Sequence, residues 1–286
     1  MPVPMTSLPL PRLSQSLVAL TQECSVINER GEHVAVTIPR ERALTVYVDK
    51  RELVTLMTLG AHAEWLVLGY LRNQRLVKSV HEVESITVDW EVGAAAVKTR
   101  SGIAQLAKRT AKRVVTTGCG QGSVFGNLMD DVDQIVLPPT TLLQSQLYGI
   151  VQAIRVHDSI YKVAGSVHGC ALFRGDEVQI FIEDVGRHNA IDTIAGWMWM
   201  QGVSGADKVF YTTGRLTSEM VIKSAQMGVA IAVSRSGITE MGLEVARKVG
   251  LCAIGRATLH RFLCYSASER LQLEPESAGA LLRAAQ

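Results

Sequence analysis

The sequence predicts an α/β protein, with a small, mixed, β-rich N-terminal domain ahead of a larger domain in which strands and helices alternate. Three observations lead there. Between Val34 and Val97, short alternating β-branched segments are separated by turn residues. From Lys208 onward, apolar runs alternate with helical spacing that stops at Gly228 and Gly250. Between these regions, the polar run Glu183-Asp-Val-Gly-Arg-His-Asn-Ala-Ile-Asp192 sits where a strand hands over to a helix, a place where α/β folds gather ligand-binding groups.

Taken in order, residues 1–22 are expected to form a flexible tail. Pro2, Pro4, Pro9 and Pro11 oppose a helix, and no apolar stretch marks a signal peptide. Residues 23–115 form the small domain. Strands flank Pro39, a hairpin turns near Asp49 and Lys50, a helix runs from about His62 to Asn73, and strand character resumes from Ser85 to Val97. Residues 116–140 are a glycine-rich loop and linker, and residues 141–286 make the second domain. A helix opens near Thr141, striped by Leu143, Leu147, Ile150, Val151 and Ile154. Ala171–Phe173 and Val178–Ile182 then flank a hairpin, and Ala190, Ile191, Ile194, Ala195 and Trp197 recur at helical spacing.

Composition limits the function classes. With 286 residues, 47% of them hydrophobic and 20% charged, the chain is an ordinary globular protein. A net charge of +2 argues against nucleic-acid binding by bulk electrostatics. The apolar runs are too short for a membrane span, so a cytoplasmic location is expected. Five scattered cysteines without a C-x-x-C pair give neither a disulfide framework nor a metal site. Cys252 and Cys264 sit in apolar surroundings and read as small buried hydrophobes. Cys119 differs, because Gly118, Gly120, Gly122 and Gly126 surround it and Lys108, Arg109, Lys112 and Arg113 lie upstream. A thiol there is expected to be accessible and reactive if those cations are also near it in space.

The polar run needs more explanation than a helix cap. Asp184 or Asn189 alone would cap, but Glu183, Arg187, His188 and Asp192 arrive with them. Three later strand ends add anion-friendly groups: Gly214 and Arg215 before Thr217 and Ser218; Ser234, Arg235, Ser236 and Gly237 before Thr239; and Gly255, Arg256, Thr258, His260 and Arg261. Helix N-termini at the first two favour phosphate. Three such turns along one sheet edge predict a crevice for a large phosphorylated ligand.

Four segments (G-S-V-H-G-C-A-L-F, E-D-V-G-R-H-N-A-I-D, T-G-R-L-T-S-E-M-V-I-K and G-R-A-T-L-H-R-F) resemble, in order and spacing, the FdhD family of formate dehydrogenase accessory sulfurtransferases. The similarity runs from about Val46 to Tyr265. It implies a cytidine-deaminase-like three-layer fold for the second domain. It also implies sulfur transfer from a cysteine desulfurase, through Cys119, to the bis-molybdopterin guanine dinucleotide molybdenum cofactor (bis-MGD) and then delivery to the catalytic subunit of formate dehydrogenase. The candidate cofactor contacts are Asp184, Arg187, His188, Arg215, Ser236 and the run Arg256, Ala257, Thr258, Leu259, His260 and Arg261, with His168 either a further contact or a core histidine. No metal of the protein's own is implied, and the oligomeric state is left open, a homodimer included.

Departures qualify the match. The usual C-G-x-C is Cys119-Gly-Gln-Gly122, so its second cysteine is absent, a variant similar to the FdsC-type branch that accompanies soluble NAD-dependent formate dehydrogenases. The usual D-K is Asp192-Thr193, S-A-P-T is Ser236-Gly-Ile-Thr239, and a usual Arg aligns with Thr258. Without the second cysteine, the alternative is a cofactor-binding chaperone that transfers no sulfur. A zinc deaminase is set aside, since the chain has His168-Gly-Cys170 in place of H-x-E and lacks P-C-x-x-C.

Overall fold

The computed structural model describes residues 8–103 and 132–274, so Cys119 and its glycine loop lie outside the described residues. Part of the expected tail is built into the protein. Strand β1 (Arg12–Leu13) pairs in parallel with residues 85–86. Ser14 Oγ donates to Glu64 Oε1 over 2.6 Å, and Ser16 N donates to the same oxygen over 2.9 Å. The prolines stop a helix here but not a strand, and the buried Glu64 carboxylate supplies the acceptor that holds the segment. Strands β2 (Thr21–Ile27) and β3 (His33–Pro39) form a separate antiparallel hairpin with no residue fully buried.

Alternation shapes the first sheet. In β4 (Arg42–Val48) and β5 (Arg51–Thr58), Leu44, Val46, Val48, Leu53 and Leu56 are buried while most intervening residues are not. Asp49 and Lys50 turn the hairpin with φ of 48° and 70°, the left-handed geometry that matches strand twist in a two-residue turn. Helix α1 (Ala63–Asn73) follows, then β6 (Val83–Asp89) and β7 (Ala94–Thr99), giving the order β1-β6-β7-β4-β5. The core is the buried face of this sheet against α1.

The second half opens with β8 (Leu142–Leu143) and α2 (Gln144–Val156). The expected helix start near Thr141 is corrected to Gln144. Leu142 and Leu143 are taken by pairing with residues 271–272, so the buried stripe begins at Leu147 rather than Leu143. Then come α3 (Ile160–Ala164), β9 (His168–Arg174), β10 (Glu177–Asp184) and α4 (Arg187–Gln201). The alternation continues through β11 (Val209–Thr212), α5 (Ser218–Gln226), β12 (Ile231–Ser234), α6 (Glu240–Val249), β13 (Cys252–Thr258), β14 (Arg261–Ser266) and β15 (Leu271–Gln272).

The large sheet has the order β10-β9-β11-β12-β13-β14, with β11, β12 and β13 parallel and the rest antiparallel. Helices α4, α5 and α6 bury one face and α2 the other, the three-layer α/β arrangement expected. Central strands covered on both faces must be apolar throughout, as Val209-Phe-Tyr and Ile231-Ala-Val are.

The two halves meet through α1 and α4, which approach at glycines. A Cβ on Gly69 would lie 1.7 Å from the Asp192 carbonyl oxygen, and one on Gly196 would lie 2.0 Å from that of Trp65. Helix α4 therefore has the sheet on one side and α1 on the other, and most of its residues are buried. No described helix is long and apolar enough to cross a membrane.

Candidate functional site

The parallel strands β11, β12 and β13 run in one direction, so their last residues and the loops beyond them share an edge. These loops are tied together by their backbones. Arg235 N donates to Thr212 O (3.0 Å), Leu216 N to Gly237 O (2.9 Å) and Arg256 N to Ser236 O (2.5 Å). Side chains add to this: Ser234 Oγ donates to Gly214 O (2.7 Å) and Ser236 Oγ to Thr213 O (2.9 Å). Such bonding pre-organises the edge, so a ligand would meet positioned groups. Arg256, with φ of 52°, holds a left-handed conformation uncommon outside glycine, where β13 bulges away from β14.

A cavity of about 600 Å³ opens beside this edge, against α2, α3 and β10. His168, Ser236, Ala257, Thr258 and Leu259, all predicted from the sequence, line it together with Thr213 and Arg235. Arg155, Tyr161, Lys162, Phe181 and Glu183 complete the wall. Three cations against one carboxylate suit an anionic ligand, and the aromatic rings offer a planar group something to stack on. Glu183 is engaged already, since its carboxylate accepts from Ile160 N (2.6 Å) and Tyr161 N (3.1 Å) at the start of α3. A larger depression of about 980 Å³ lies near Pro138, Trp199 and Gln226. Its Arg72 is committed to the Ala195 carbonyl (2.9 Å) and the Trp199 ring (5.0 Å), and it gathers no comparable polar cluster.

His168 is half-buried, and burial lowers its pKa, with Arg187, His188 and Arg215 pushing the same way. The imidazole therefore stays neutral in a cationic surrounding. The stem of Arg187 packs on Gly214, where a Cβ would come within 2.9 Å of Arg187 Cδ, so that glycine lets the start of α4 reach the β11 loop. Arg215 is exposed at the same loop. Arg256, Thr258, His260 and Arg261 line a separate open depression on the outer side of their segment, with His260 edge-on to Tyr148. Ala257 is a core residue, 1% exposed. The structure thus brings one group of the predicted residues to the cavity and leaves a second group beside it.

Asp184 does a different job. Its carboxylate accepts from Thr58 Oγ1 (2.5 Å), Leu59 N (3.2 Å), Gly186 N (3.0 Å) and Asn189 Nδ2 (2.7 Å). It is 2% exposed, and burial raises its pKa against the pull of those donors. A carboxylate so occupied ties the end of β5 to the start of α4.

His188 is also buried and stands beside a chain of buried charged groups. Its Nδ1 lies 3.0 Å from Glu219 Oε2, Glu219 Oε1 lies 3.3 Å from Lys223 Nζ, and Lys223 Nζ lies 2.9 Å from Asp192 Oδ2. Asn73 Nδ2 donates to Asp192 Oδ1 over 2.7 Å. Sequence reasoning missed Glu219 and Lys223. The available signal was a Glu and a Lys four residues apart around Met220-Val-Ile222, a run too apolar to be a solvent face. Burial pushes the Glu219 carboxyl up, but Lys223 and His188 outweigh it and hold the group at about 2, below its usual 4.5. A depressed carboxylate stabilises the fold above its unfolded pKa and loses that effect as pH falls through the folded value. In denaturant titrations, the stability advantage of the parent over Glu219→Gln should therefore shrink between about pH 4.5 and about pH 2, by on the order of 3 kcal/mol.

Thr217, not Ser218, occupies the N-cap position of α5, but its side chain makes no capping bond, whereas Thr239 Oγ1 caps α6 by accepting from Gly242 N (3.2 Å). Cys170 is fully buried, 3.3 Å from Thr212 Oγ1, and burial pushes its thiol up to about 12, so it is no nucleophile. Among the described residues, no group of three or more His, Cys, Asp or Glu is arranged to hold a metal ion.

The comparisons agree with this architecture. The model of the FdhD/NarQ family matches residues 39–272. The sulfur carrier protein FdhD of Halalkalibacterium halodurans is 28% identical over 262 residues, 91% of this chain and 97% of that protein. Its namesake in Bacillus subtilis is 30% identical over 252 residues, 85% of this chain and 94% of that protein. The crystal structure of a formate dehydrogenase accessory protein from Desulfotalea psychrophila shares the fold, with a TM-score of 0.70 at 24% identity over 88% of this chain and 98% of the other. The family match covers β4 to β15, with the whole six-stranded sheet and every strand-end loop of the site, and the chain belongs to the FdhD/NarQ family.

Proposed function

We propose that this protein is a sulfur carrier for formate dehydrogenase maturation. The Cys119 thiolate attacks the outer sulfur of a cysteine desulfurase persulfide. The Cys119–sulfur bond forms as the desulfurase sulfur–sulfur bond breaks, and the desulfurase cysteine leaves as a thiolate. The strand-end cavity holds the reduced bis-MGD molybdenum cofactor as cargo. The Cys119 sulfur–sulfur bond breaks as its outer sulfur passes to the cofactor, and Cys119 leaves as a thiolate. The reduced cargo supplies the two electrons that turn that sulfur into sulfide, and the cofactor passes to the catalytic subunit of formate dehydrogenase. The observation that carries this reading is the convergence of Arg155, Lys162, Arg235 and neutral His168 around one cavity, in a chain whose relatives are named sulfur carriers. Guanidiniums form paired, charge-assisted bonds to phosphate oxygens, and the ring of Tyr161 or Phe181 suits a guanine.

A second reading, a cofactor-binding chaperone without sulfur transfer, is favoured by Gly122 standing where the family's second loop cysteine would be. Both readings need the cavity, and calorimetry with guanosine diphosphate tests it. Hydrogen bonds to charged groups contribute roughly 1.5–3 kcal/mol each, so Arg235→Ala in the cavity wall and Arg215→Ala on the loop beside it should each weaken binding about tenfold or more. Arg261→Ala, on the outer side of the same segment, tests whether the second depression takes part. Unchanged binding in all three variants would remove the cavity assignment.

A further inference from the structure

We propose that Cys252 and Cys264 are a reversible dithiol–disulfide pair on the stem of the β13–β14 hairpin, oxidised by low-molecular-weight disulfides. Their sulfurs lie 3.8 Å apart, in contact across the two strands. Cys252 is buried and Cys264 is partly exposed, so one thiol is reachable and the other waits behind it. The strands are not in simple register here. Ala253 faces Ser266 while Ile254 faces Cys264, so β14 carries an extra residue, and this bulge brings the two cysteines together. Bonding needs the sulfurs to close to about 2.05 Å, a movement within reach of side-chain rotation at a bulge.

The order of events follows from the environments. The hydrogen bond from the Cys252 thiol lowers the pKa of Cys264 and raises that of Cys252. The Cys264 thiolate attacks the small disulfide, forming a mixed disulfide and releasing one small thiolate. Cys252 then loses its proton and attacks the Cys264 sulfur, forming the internal bond and releasing the second small thiolate. The protein gives up two protons and two electrons, and the small disulfide becomes two thiols. The bond would clamp the stem whose turn carries Arg256 to Arg261. This inference stands on the thiol geometry alone and is independent of sulfur transfer at Cys119.

The test treats the full chain with glutathione disulfide and maps the peptides by mass without reduction. The expected product is a Cys252–Cys264 cross-link, short of two hydrogens, free of glutathione and reversed by dithiothreitol. In Cys252→Ala, glutathione should instead remain on Cys264. A stable glutathione adduct on Cys264 of the parent protein with Cys252 still a free thiol would overturn the proposal. So would failure of Cys264 to react in both proteins while Cys24 does.

Discussion

Cys119→Ala should abolish persulfide loading by a cysteine desulfurase while leaving guanosine diphosphate binding within about twofold of the parent protein. The thiol is the nucleophile and the sulfur-bearing atom of the proposed reaction, so no residual loading of that loop is expected without it. Among the described residues, the cavity wall comes from α2, α3, β9, β10 and the ends of β11, β12 and β13, and its cations hold an anion without a thiol. Peptide mass analysis reads the first effect and calorimetry the second. Loss of both in a variant that remains folded would make the loop part of the binding site and end the separation of roles.

Lys223→Met is expected to cost about 3–5 kcal/mol of folding stability, a large fraction of what holds a domain together. Lys223 is 1% exposed and its ammonium lies between Asp192, itself fully buried, and Glu219. Burial alone would lower the pKa of Lys223, but the two carboxylates raise it, so the charge is held in place. Removing it leaves both carboxylates without their shared cation in the core between α4 and α5. The added change Asp192→Asn should recover part of the loss by removing one stranded charge. Denaturant unfolding of the three proteins measures this, and a single-variant loss below about 1 kcal/mol would mean that the network is not charged as described.

The parts of this fold that were legible in the sequence share one property: their signals are local. The left-handed turn at Asp49 and Lys50, the helix stops at Gly228 and Gly250 and the apolar central strands are each written in a few neighbouring residues. What escaped depends on partners far along the chain. The polar run around Asp184 was visible, but its bonds to Thr58 and Leu59 on the other sheet were not. Helix α4 shows no single buried stripe because α1 covers the side that solvent would otherwise occupy. Residues 12–16 read as tail because nothing nearby showed that Glu64 would receive them. The apolar setting of Cys252 and Cys264 was readable, yet their contact across a bulged pair of strands was not. In the candidate site, the strand-end loops were visible as Gly, Ser and Arg clusters. The basic wall opposite, from Arg155 and Lys162, was not, since α2 and α3 meet that edge only in three dimensions.

The most direct measurement follows one sulfur atom through the protein. The chain is incubated with a cysteine desulfurase and cysteine, separated from both, and its Cys119 peptide is weighed before and after addition of the guanine dinucleotide molybdenum cofactor. Sulfur transfer predicts a gain of one sulfur on Cys119 in the first step and its loss, with sulfur appearing on the cofactor, in the second. A Cys119 peptide that never gains sulfur, in a protein that still binds the cofactor, would contradict the carrier assignment and leave a binding chaperone in its place.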